Sequence, residues 1–395
     1  MIYSKFKDLS LSRLGFGCMR LPETESQKNI DEKKAFEMID HAYRNGVNYF
    51  DTAYFYHAGE SETFIGKALA QYPRDTWYLA NKIPGNAMTI EDGNLKLDLG
   101  GFKMENVTFS SPAGIFEQQL ERCNVDYFDF YMLHNLTEFT YDLYTDEKIG
   151  IIDYLLSQKK AGRIRHLGFS SHARPETLEK FLNSYDCFEF AQIQLNYLDW
   201  TLQEADKKYE VLTNHGMPII AMEPMRGGKL AAPGDAETSI LKAVRPNDTP
   251  ASWAFRFLQS LPNVFIVLSG MSTMEQLVEN IDIFSNDNHM PEPEKLTLQK
   301  VVDAIAEFVP CTACRYCCAK CPQELDIPML ISTYNEAVYD MKDVSKVTWY
   351  VKDVLEALSE EEMPQACINC GTCVPLCPQS IDIPDTLAKF SALLV

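Results

Sequence analysis

The sequence predicts an α/β protein made of a (β/α)8 TIM barrel and a small, mostly helical domain rich in cysteine. Eight short apolar runs alternate with stretches of helical periodicity along the front of the chain. Nine of the twelve cysteines fall between Cys311 and Cys377. At 395 residues the chain also exceeds most single domains. We therefore predict a barrel over residues 1–285, a linker and connecting helix over 286–310, and a cysteine-rich domain over 311–395.

The eight apolar runs are bounded by turn residues and are LGFGCM, VNYFD, WYLANK, YFDFYMLH, IRHLGFS, FAQIQLNY, PIIAMEP and VFIVLSG. Between most of them lie segments such as DEKKAFEMIDHAYRNG, in which apolar residues recur three or four positions apart. Strands and helices that alternate eight times are typical of a closed parallel barrel. In such barrels the catalytic residues lie at the carboxyl ends of the strands, so those ends hold the first candidates for a site.

Polar side chains stand at five of these strand ends. The residues are Asp51, Lys82, His134, Ser170 and Glu223. Tyr56 follows Asp51 by five positions. An acid, a lysine, a tyrosine and a histidine at one rim indicate proton transfer, and we expect a nearby ammonium to lower the pKa of the tyrosine.

The cysteine-rich domain repeats one frame of four cysteines, with spacings of two, two and three residues and a proline after the fourth. The frames are Cys311, Cys314, Cys317, Cys321 and Cys367, Cys370, Cys373, Cys377. This spacing resembles that of bacterial ferredoxins, in which the fourth cysteine binds the other of two clusters. It predicts two [4Fe–4S] clusters, one on Cys311, Cys314, Cys317 and Cys377, the other on Cys367, Cys370, Cys373 and Cys321.

A zinc site is the alternative for these cysteines, but it leaves the third cysteine of each frame and both Cys-Pro steps without a role. Between the frames, residues 327–358 have apolar positions mostly three or four apart, so we expect helices there. The domain therefore resembles helical ferredoxin modules. Cys318 lies outside the frame, and we interpret it as a buried thiol beside a cluster.

The overall charge limits the range of partners. The chain has 36 basic and 56 acidic residues and a formal charge of −20, which disfavours nucleic acid and anionic membranes as partners. No apolar run is long enough to span a bilayer, and the N-terminus lacks the apolar core of a signal peptide. These observations predict a cytoplasmic protein.

The segment GVNYFDTAYFYHAGESETFIGKAL is similar to the signature of the aldo/keto reductase family, a Gly-x-Asn-x-x-Asp-Thr-Ala run followed by a tyrosine and a Ser-Glu pair. The segments NKIP, YMLHN, GFSSH, QIQLNY and SGMSTMEQLVENI resemble later elements of the same family. The cysteine-rich tail makes the chain resemble the branch of that family fused to a two-cluster ferredoxin domain.

This resemblance implies roles for four residues. Tyr56 would be the general acid, with its pKa lowered by Lys82, and Asp51 would hold Lys82 in place. His134 would orient the carbonyl of an aldehyde or ketone. The implied enzyme is an NADP- or NAD-dependent oxidoreductase acting on a small carbonyl or alcohol substrate.

The resemblance also implies contacts to the nicotinamide. Ser170 and Gln192 match the positions that hold the carboxamide. Many relatives place an aromatic side chain on the nicotinamide, and in this chain Met222 or Glu223 stands near that place. Either a carboxylate there favours the cationic, oxidised ring, or Glu223 points away from the nicotinamide.

The segment that usually holds the adenosine 2′-phosphate departs from the family. It offers Gly270, Met271 and Gln276, and Asn280 is its one good match. Without a basic partner a phosphate monoester is poorly held, so both NADPH and NADH remain open. Arg226 is either a phosphate ligand or a surface arginine.

A long, glycine-containing loop is expected between Lys82 and Ser111. At the rim of a barrel such a loop is a lid, a docking face for the cluster domain, or a floppy insertion.

Three functional hypotheses follow. In the first, the clusters relay electrons between a partner such as ferredoxin or flavodoxin and a redox group in the barrel, for which a flavin is one candidate. In the second, the protein is a nicotinamide-dependent carbonyl reductase whose clusters are structural or redox-sensing. In the third, it is a non-catalytic binding protein.

Overall fold

The computed structural model describes residues 1–24, 29–99, 104–138, 140–287, 289–305, 309, 311, 317–340, 349–377 and 381–394. The chain divides into two compact units, Met1–Leu298 and Gln299–Val395. The domain limits expected at 285 and 311 remain predictions.

The first unit is built on a closed barrel of eight parallel strands, which confirms the predicted fold class. In chain order these strands are β3 (Leu14–Gly17), β4 (Tyr49–Asp51), β5 (Tyr78–Ile83), β9 (Phe128–Leu136), β10 (Ile164–Ser171), β11 (Ala191–Gln194), β12 (Ile219–Met222) and β13 (Val264–Gly270). Each strand pairs with its neighbour in this order, and β13 pairs with β3 to close the barrel.

Helices follow the barrel strands along the chain. In the described part of this unit they are α1 (Glu32–Arg44), α2 (Glu60–Leu69), α3 (Pro112–Cys123), α4 (Tyr141–Thr145), α5 (Ile151–Lys160), α6 (Pro175–Ser184), α7 (Asp199–Leu202), α8 (Ala205–Asn214), α9 (Asp235–Val244), α10 (Pro250–Gln259) and α11 (Met274–Ile283). Asp31 caps α1, and Thr249 caps α10, where Pro250 is the first helical residue.

An N-terminal hairpin packs onto the first residues of the barrel strands. Its strands are β1 (Tyr3–Phe6) and β2 (Leu9–Ser12). Phe6 stacks on Phe265 with ring centroids 4.9 Å apart and joins one buried cluster with Tyr49 and Phe130. Since apolar side chains fill this end, the opposite, carboxyl end is the one available for a site.

The segment expected as a long loop contains a three-stranded antiparallel sheet instead. Its strands are β6 (Met88–Glu91), β7 (Asn94–Leu97) and β8 (Val107–Phe109). Asp92 and Gly93 connect the first two with φ of 50° and 78°. An Asp-Gly pair between alternating apolar residues is a strong hairpin signal, so the expectation that this segment is only a long loop was wrong.

The second unit is mostly helical. One helix, α12 (Glu292–Ile305), spans the division between the units, and the described helices beyond it are α13 (Ile327–Asp340), α14 (Trp349–Ala357) and α15 (Ile383–Leu393). Helices are therefore present in the described parts of the predicted insert, while residues 306–308 and 341–348 lie outside the described residues. A buried cluster containing Leu330, Leu387 and Phe390 forms the core. None of the described helices is long and apolar enough to cross a membrane.

Candidate active site and cluster site

The four residues expected to carry proton transfer meet at the carboxyl end of the barrel. Asp51 ends β4, Lys82 lies near the end of β5, and His134 lies near the end of β9. The Lys82 ammonium is 2.5 Å from Asp51 Oδ1 and donates to the Thr52 carbonyl at 2.9 Å. Both members of this ion pair are almost fully buried.

Tyr56 reaches the same place from the turn that follows β4. The Lys82 Nζ atom lies 5.1 Å from the centroid of its ring. The ring lies nearly perpendicular to that of His134, with centroids 6.1 Å apart. His57, Ala58 and Gly59 then have φ of 51°, 52° and 86°. Three consecutive residues in the left-handed region are costly for all but glycine, and they turn the chain sharply from Tyr56 into α2.

The environment raises the pKa of Tyr56 well above its ordinary value, through burial first and then through the carboxylates of Asp51 and Glu223. The expected lowering by Lys82 is therefore not found in this geometry. The reason is that the Lys82 ammonium is held by Asp51 and a backbone carbonyl. Tyr56 is consequently a neutral phenol.

His134 is a neutral imidazole. Burial lowers its pKa well below 6.5, and Lys82 and His172 lower it further. Its ring stacks on Phe55, with centroids 5.0 Å apart and planes 9° apart. The Tyr144 hydroxyl donates to the His134 carbonyl at 2.6 Å. The His134 Nδ1 atom is buried without a hydrogen-bond partner in the described part of the protein.

A buried polar network that sequence reasoning missed lies behind Lys82. The Glu62 carboxylate, fully buried, accepts from Asn81 at 2.9 Å and from Gln119 at 2.8 Å. Gln119 also donates to the Lys82 carbonyl at 3.0 Å. Glu62 belongs to the Ser-Glu pair of the signature segment, which was the available signal. The network holds the backbone of β5 where Lys82 leaves it.

The residues expected at the carboxamide lie on consecutive strands of the barrel. Ser170 accepts from the Asn135 N–H at 2.8 Å. The Gln192 amide nitrogen is 3.6 Å from the sulfur of Met222. The Gln192 Oε1 atom, which is buried, has no partner among the described residues. An orphaned buried acceptor is costly, and a carboxamide N–H₂ would satisfy it, so these residues fit a nicotinamide.

Arg226 is buried, which excludes its interpretation as a surface arginine. Its Nε atom lies 3.0 Å from Asp199 Oδ1, and its side chain is 7% exposed. Gln194 and Asn196 also donate to Asp199. A carboxylate thus already neutralises the arginine that was considered for a phosphate.

The segment expected to hold the adenosine phosphate begins after β13. Asn280 donates to Ser269 Oγ at 3.1 Å, and Gln276 accepts from the Ser272 N–H at 2.8 Å. Gln276 therefore stabilises the start of α11, and Asn280 ties this helix to the end of β13. Gly270 has no side chain, and a Cβ there would lie 3.2 Å from the Cβ of Arg20.

Arg20 is a basic residue of this rim that sequence reasoning missed. It follows β3, and Gly17 of β3 pairs with Gly270 of β13. Its guanidinium lies 3.9 Å from the Glu223 carboxylate, and its carbonyl accepts from Ser272 Oγ at 2.9 Å. Only closure of the barrel brings the first and last strands together, so no local sequence signal marks this arginine.

Four cysteines from both frames line one small pocket in the second unit. They are Cys321, Cys367, Cys370 and Cys373. Burial and the thiols of the other three raise the pKa of Cys373, which reflects their proximity. This is the mixed set expected for one cluster, and its four sulfur donors fit an iron–sulfur cluster.

The four thiols of this set do not meet at one point in the described structure. Among the described residues, no three carboxylate, imidazole or thiol side chains converge closely enough to hold one metal ion. In the other predicted set Cys311, Cys317 and Cys377 pack against the core of this unit, whereas Cys314 lies outside the described residues.

Fold and site together define an oxidoreductase of the (β/α)8 class that carries an iron–sulfur domain. The family model described as "Aldo/keto reductase family" matches residues 13–292. The model described as "4Fe-4S dicluster domain" matches residues 310–381. The chain belongs to the aldo/keto reductase family.

Curated relatives resemble most of the chain. "Uncharacterized oxidoreductase YqkF" of Bacillus subtilis is 28% identical, over 74% of this chain and 93% of its own length. "NADH-specific methylglyoxal reductase" of Escherichia coli is 24% identical, over 69% and 90%.

Solved structures share the fold. Aldo-keto reductase AKR11C1 from Bacillus halodurans, in its holo form, is 26% identical with a TM-score of 0.58, over 76% of this chain and 96% of its own. An aldo-keto reductase from Klebsiella pneumoniae in complex with NADPH is 18% identical with a TM-score of 0.59, over 76% and 96%, which shows the fold alone.

Proposed function

We propose that this protein reduces a small carbonyl substrate with a nicotinamide cofactor in its barrel, and that two [4Fe–4S] clusters exchange electrons with a partner. The observation that carries the proposal is the convergence of Asp51, Tyr56, Lys82 and His134 at the open end of the barrel, in a chain that also forms a four-cysteine cavity. The intact tetrad counts against a non-catalytic binding protein.

The barrel residues are suited to the direction of reduction. A neutral phenol at Tyr56 has a proton to give to the developing alkoxide oxygen, as a general acid does. The neutral imidazole of His134 has one N–H with which to orient the carbonyl. Asp51 holds the Lys82 ammonium close to the Tyr56 ring.

The two kinds of cofactor differ in the number of electrons that they transfer. When bound, the nicotinamide supplies a hydride, and each cluster carries a single electron. Gln192 Oε1 would accept from the carboxamide, and Arg20 would face the phosphates. Because the 270–280 segment has no Lys or Arg and Glu223 engages Arg20, we expect NADH to bind at least as well as NADPH.

Electron exchange with a partner is the finer part of the proposal. Cys370 is exposed, so one ligand set reaches the surface, where a ferredoxin or flavodoxin could exchange electrons with it. A flavin in the barrel would allow two-electron and one-electron steps to meet. The buried positions of Cys317 and Cys373 in the core of the second unit favour the alternative, in which clusters only stabilise that unit.

An anaerobic stopped-flow experiment separates these two functions. The cluster-loaded protein is mixed with NADH, and separately with NADPH, without substrate, while absorbance near 400 nm and nicotinamide oxidation are followed together. Bleaching of the clusters as nicotinamide is consumed supports the relay. Nicotinamide binding with clusters that stay oxidised, together with steady turnover of methylglyoxal as a probe carbonyl, supports the reductase with structural clusters.

A further inference from the structure

We propose that the Thr372 hydroxyl donates a hydrogen bond to the Cys370 thiolate and thereby sets the reduction potential of the cluster bound by Cys321, Cys367, Cys370 and Cys373. The inference rests on the cluster assignment within the proposed function. It concerns a positioning and tuning role of a residue that is not itself a ligand.

The geometry shows two acceptors for one hydroxyl. Thr372 Oγ1 lies 3.2 Å from Cys370 Sγ and 3.2 Å from the carbonyl oxygen of Lys320. Lys320 directly precedes Cys321, so the hydroxyl stands between the two chain segments that supply this ligand set. It has one proton for the two acceptors.

The charge of the sulfur decides where that proton points. A cysteine that binds iron is a thiolate, which accepts but cannot donate, and hydrogen bonds to charged acceptors are about twice as strong as neutral ones. With the ligand set assembled, the Cys370 thiolate is therefore a better acceptor than the Lys320 carbonyl. Thr372 then keeps at most a weaker interaction with the backbone.

Such a hydrogen bond acts on the redox equilibrium. Reduction adds one electron to the cluster and makes or breaks no bond, so the ligand sulfurs become more negative. A donor to one of them stabilises the reduced form more than the oxidised form and raises the potential. Thr372 and Cys370 are both exposed, so this would be the more oxidising cluster at the surface of the unit.

The two frames differ at this position, which gives an internal comparison. The residue between the second and third cysteines that corresponds to Thr372 is Tyr316 in the first frame. The second frame alone therefore has a threonine at this position. We therefore expect Thr372 to affect one cluster and not the other.

The test is a reduction potential measured without nicotinamide or substrate. Wild type, Thr372→Val and Thr372→Ser are titrated with dithionite and mediators while the reduced clusters are followed by electron paramagnetic resonance, and iron and sulfide are counted. We expect Thr372→Val to shift one of two midpoints to a more negative potential at full iron content. Thr372→Ser, which keeps the hydroxyl, should match wild type.

Two outcomes would overturn the assignment. One is that both midpoints of fully loaded Thr372→Val equal those of wild type. If Thr372→Val loses iron, the same titration is repeated with Thr372→Ala. Alanine also lacks the hydroxyl, and it has no β-branched side chain that could disturb the fold. The other is that Thr372→Val and Thr372→Ala both lose iron while Thr372→Ser keeps it. The hydroxyl would then hold the two ligand-bearing chain segments together through the Lys320 carbonyl and would not tune the potential. Because no nicotinamide is present, failure here is separate from failure of the stopped-flow experiment.

Discussion

The Lys82 ammonium and the Asp51 carboxylate form an ion pair 2.5 Å long, with both side chains only 1% exposed. Burial raises the pKa of Asp51, and Lys82 opposes that rise. The second carboxylate oxygen of Asp51 has no partner in the described part of the protein. The attraction between the two opposite charges therefore holds the pair together in a buried site where neither side chain is well solvated.

Removing one partner of this pair should destabilise the barrel strongly. Lys82→Met leaves a buried carboxylate alone, which costs about 3–5 kcal/mol. The double variant Asp51→Asn/Lys82→Met removes both charges and should cost less than the sum of the two single variants. Urea unfolding measures all three free energies, and additive losses would contradict the coupling.

An exposed pair supplies the control for that experiment. Lys67 and Glu32 are 2.7 Å apart, with side chains 58% and 57% exposed. Lys67→Met should change the free energy of unfolding by less than about 1 kcal/mol, because solvent screens such a pair.

Tyr56→Phe should remove most carbonyl reduction. A general acid contributes about 10²- to 10⁴-fold to the rate, and we expect kcat to fall by that factor while nicotinamide affinity changes little. Steady-state kinetics with methylglyoxal and fluorescence titration with NADH are the measurements. Tyr3→Phe, at an exposed tyrosine that bonds the Gly46 carbonyl, is the control. Turnover at the wild-type rate in Tyr56→Phe would refute the role of Tyr56 as the acid.

The sequence was sufficient for the barrel and the placement of the tetrad because both depend on local patterns. Strand ends can be read from apolar runs, and parallel strands bring their ends to one rim. The pairing of Cys321 with the second frame came from the resemblance to two-cluster ferredoxins and stays a prediction.

The features that sequence reasoning missed depend on contacts between residues that are far apart along the chain. Arg20 lies over Gly270 because the first and last strands are neighbours. Arg226 is buried because Asp199, 27 positions away, pairs with it. The raised pKa of Tyr56 depends on its burial, which the sequence motif does not indicate. The hairpin at Asp92 and Gly93, by contrast, had a readable signal that was overlooked.

Gln192→Leu should weaken nicotinamide binding without destabilising the unliganded protein. The orphaned Oε1 atom is a buried acceptor with no partner among the described residues, so its removal relieves a cost in the unliganded fold. Loss of one hydrogen bond of about 1–1.5 kcal/mol should weaken binding roughly 10-fold.

The matched control is Gln259→Leu. Gln259 is also a buried glutamine with both side-chain polar atoms lacking partners in the described structure, and it ends α10. It should leave nicotinamide affinity unchanged. If Gln192→Leu binds NADH as tightly as wild type in fluorescence titrations, Gln192 does not contact the carboxamide.

Stability should fall as the solution becomes acidic, in part because of His172. Burial and the Lys208 ammonium lower its pKa to about 3, whereas an unfolded histidine has a pKa of about 6.5. Between these values the unfolded chain binds a proton that the folded protein does not, so stability is lost as pH falls below about 6.5. His172→Asn should reduce the slope of unfolding free energy with pH by up to about 1.4 kcal/mol per unit. Urea unfolding of wild type and His172→Asn at about pH 7 and about pH 5.5 tests this. An equal change of the unfolding free energy with pH in the two proteins would contradict it.

The ligand assignment can be tested by counting iron in pairs of cysteine variants. If Cys321 and Cys370 bind one cluster, either single serine variant should lose about half of the iron, and the double variant should lose no more. Cys370→Ser combined with Cys377→Ser should lose nearly all of it, because Cys377 is assigned to the other cluster. Cys187→Ser, outside both frames, should keep the full content. The assignment fails if the first double variant loses more iron than the second, since the fourth cysteine of each frame would then bind with its own frame.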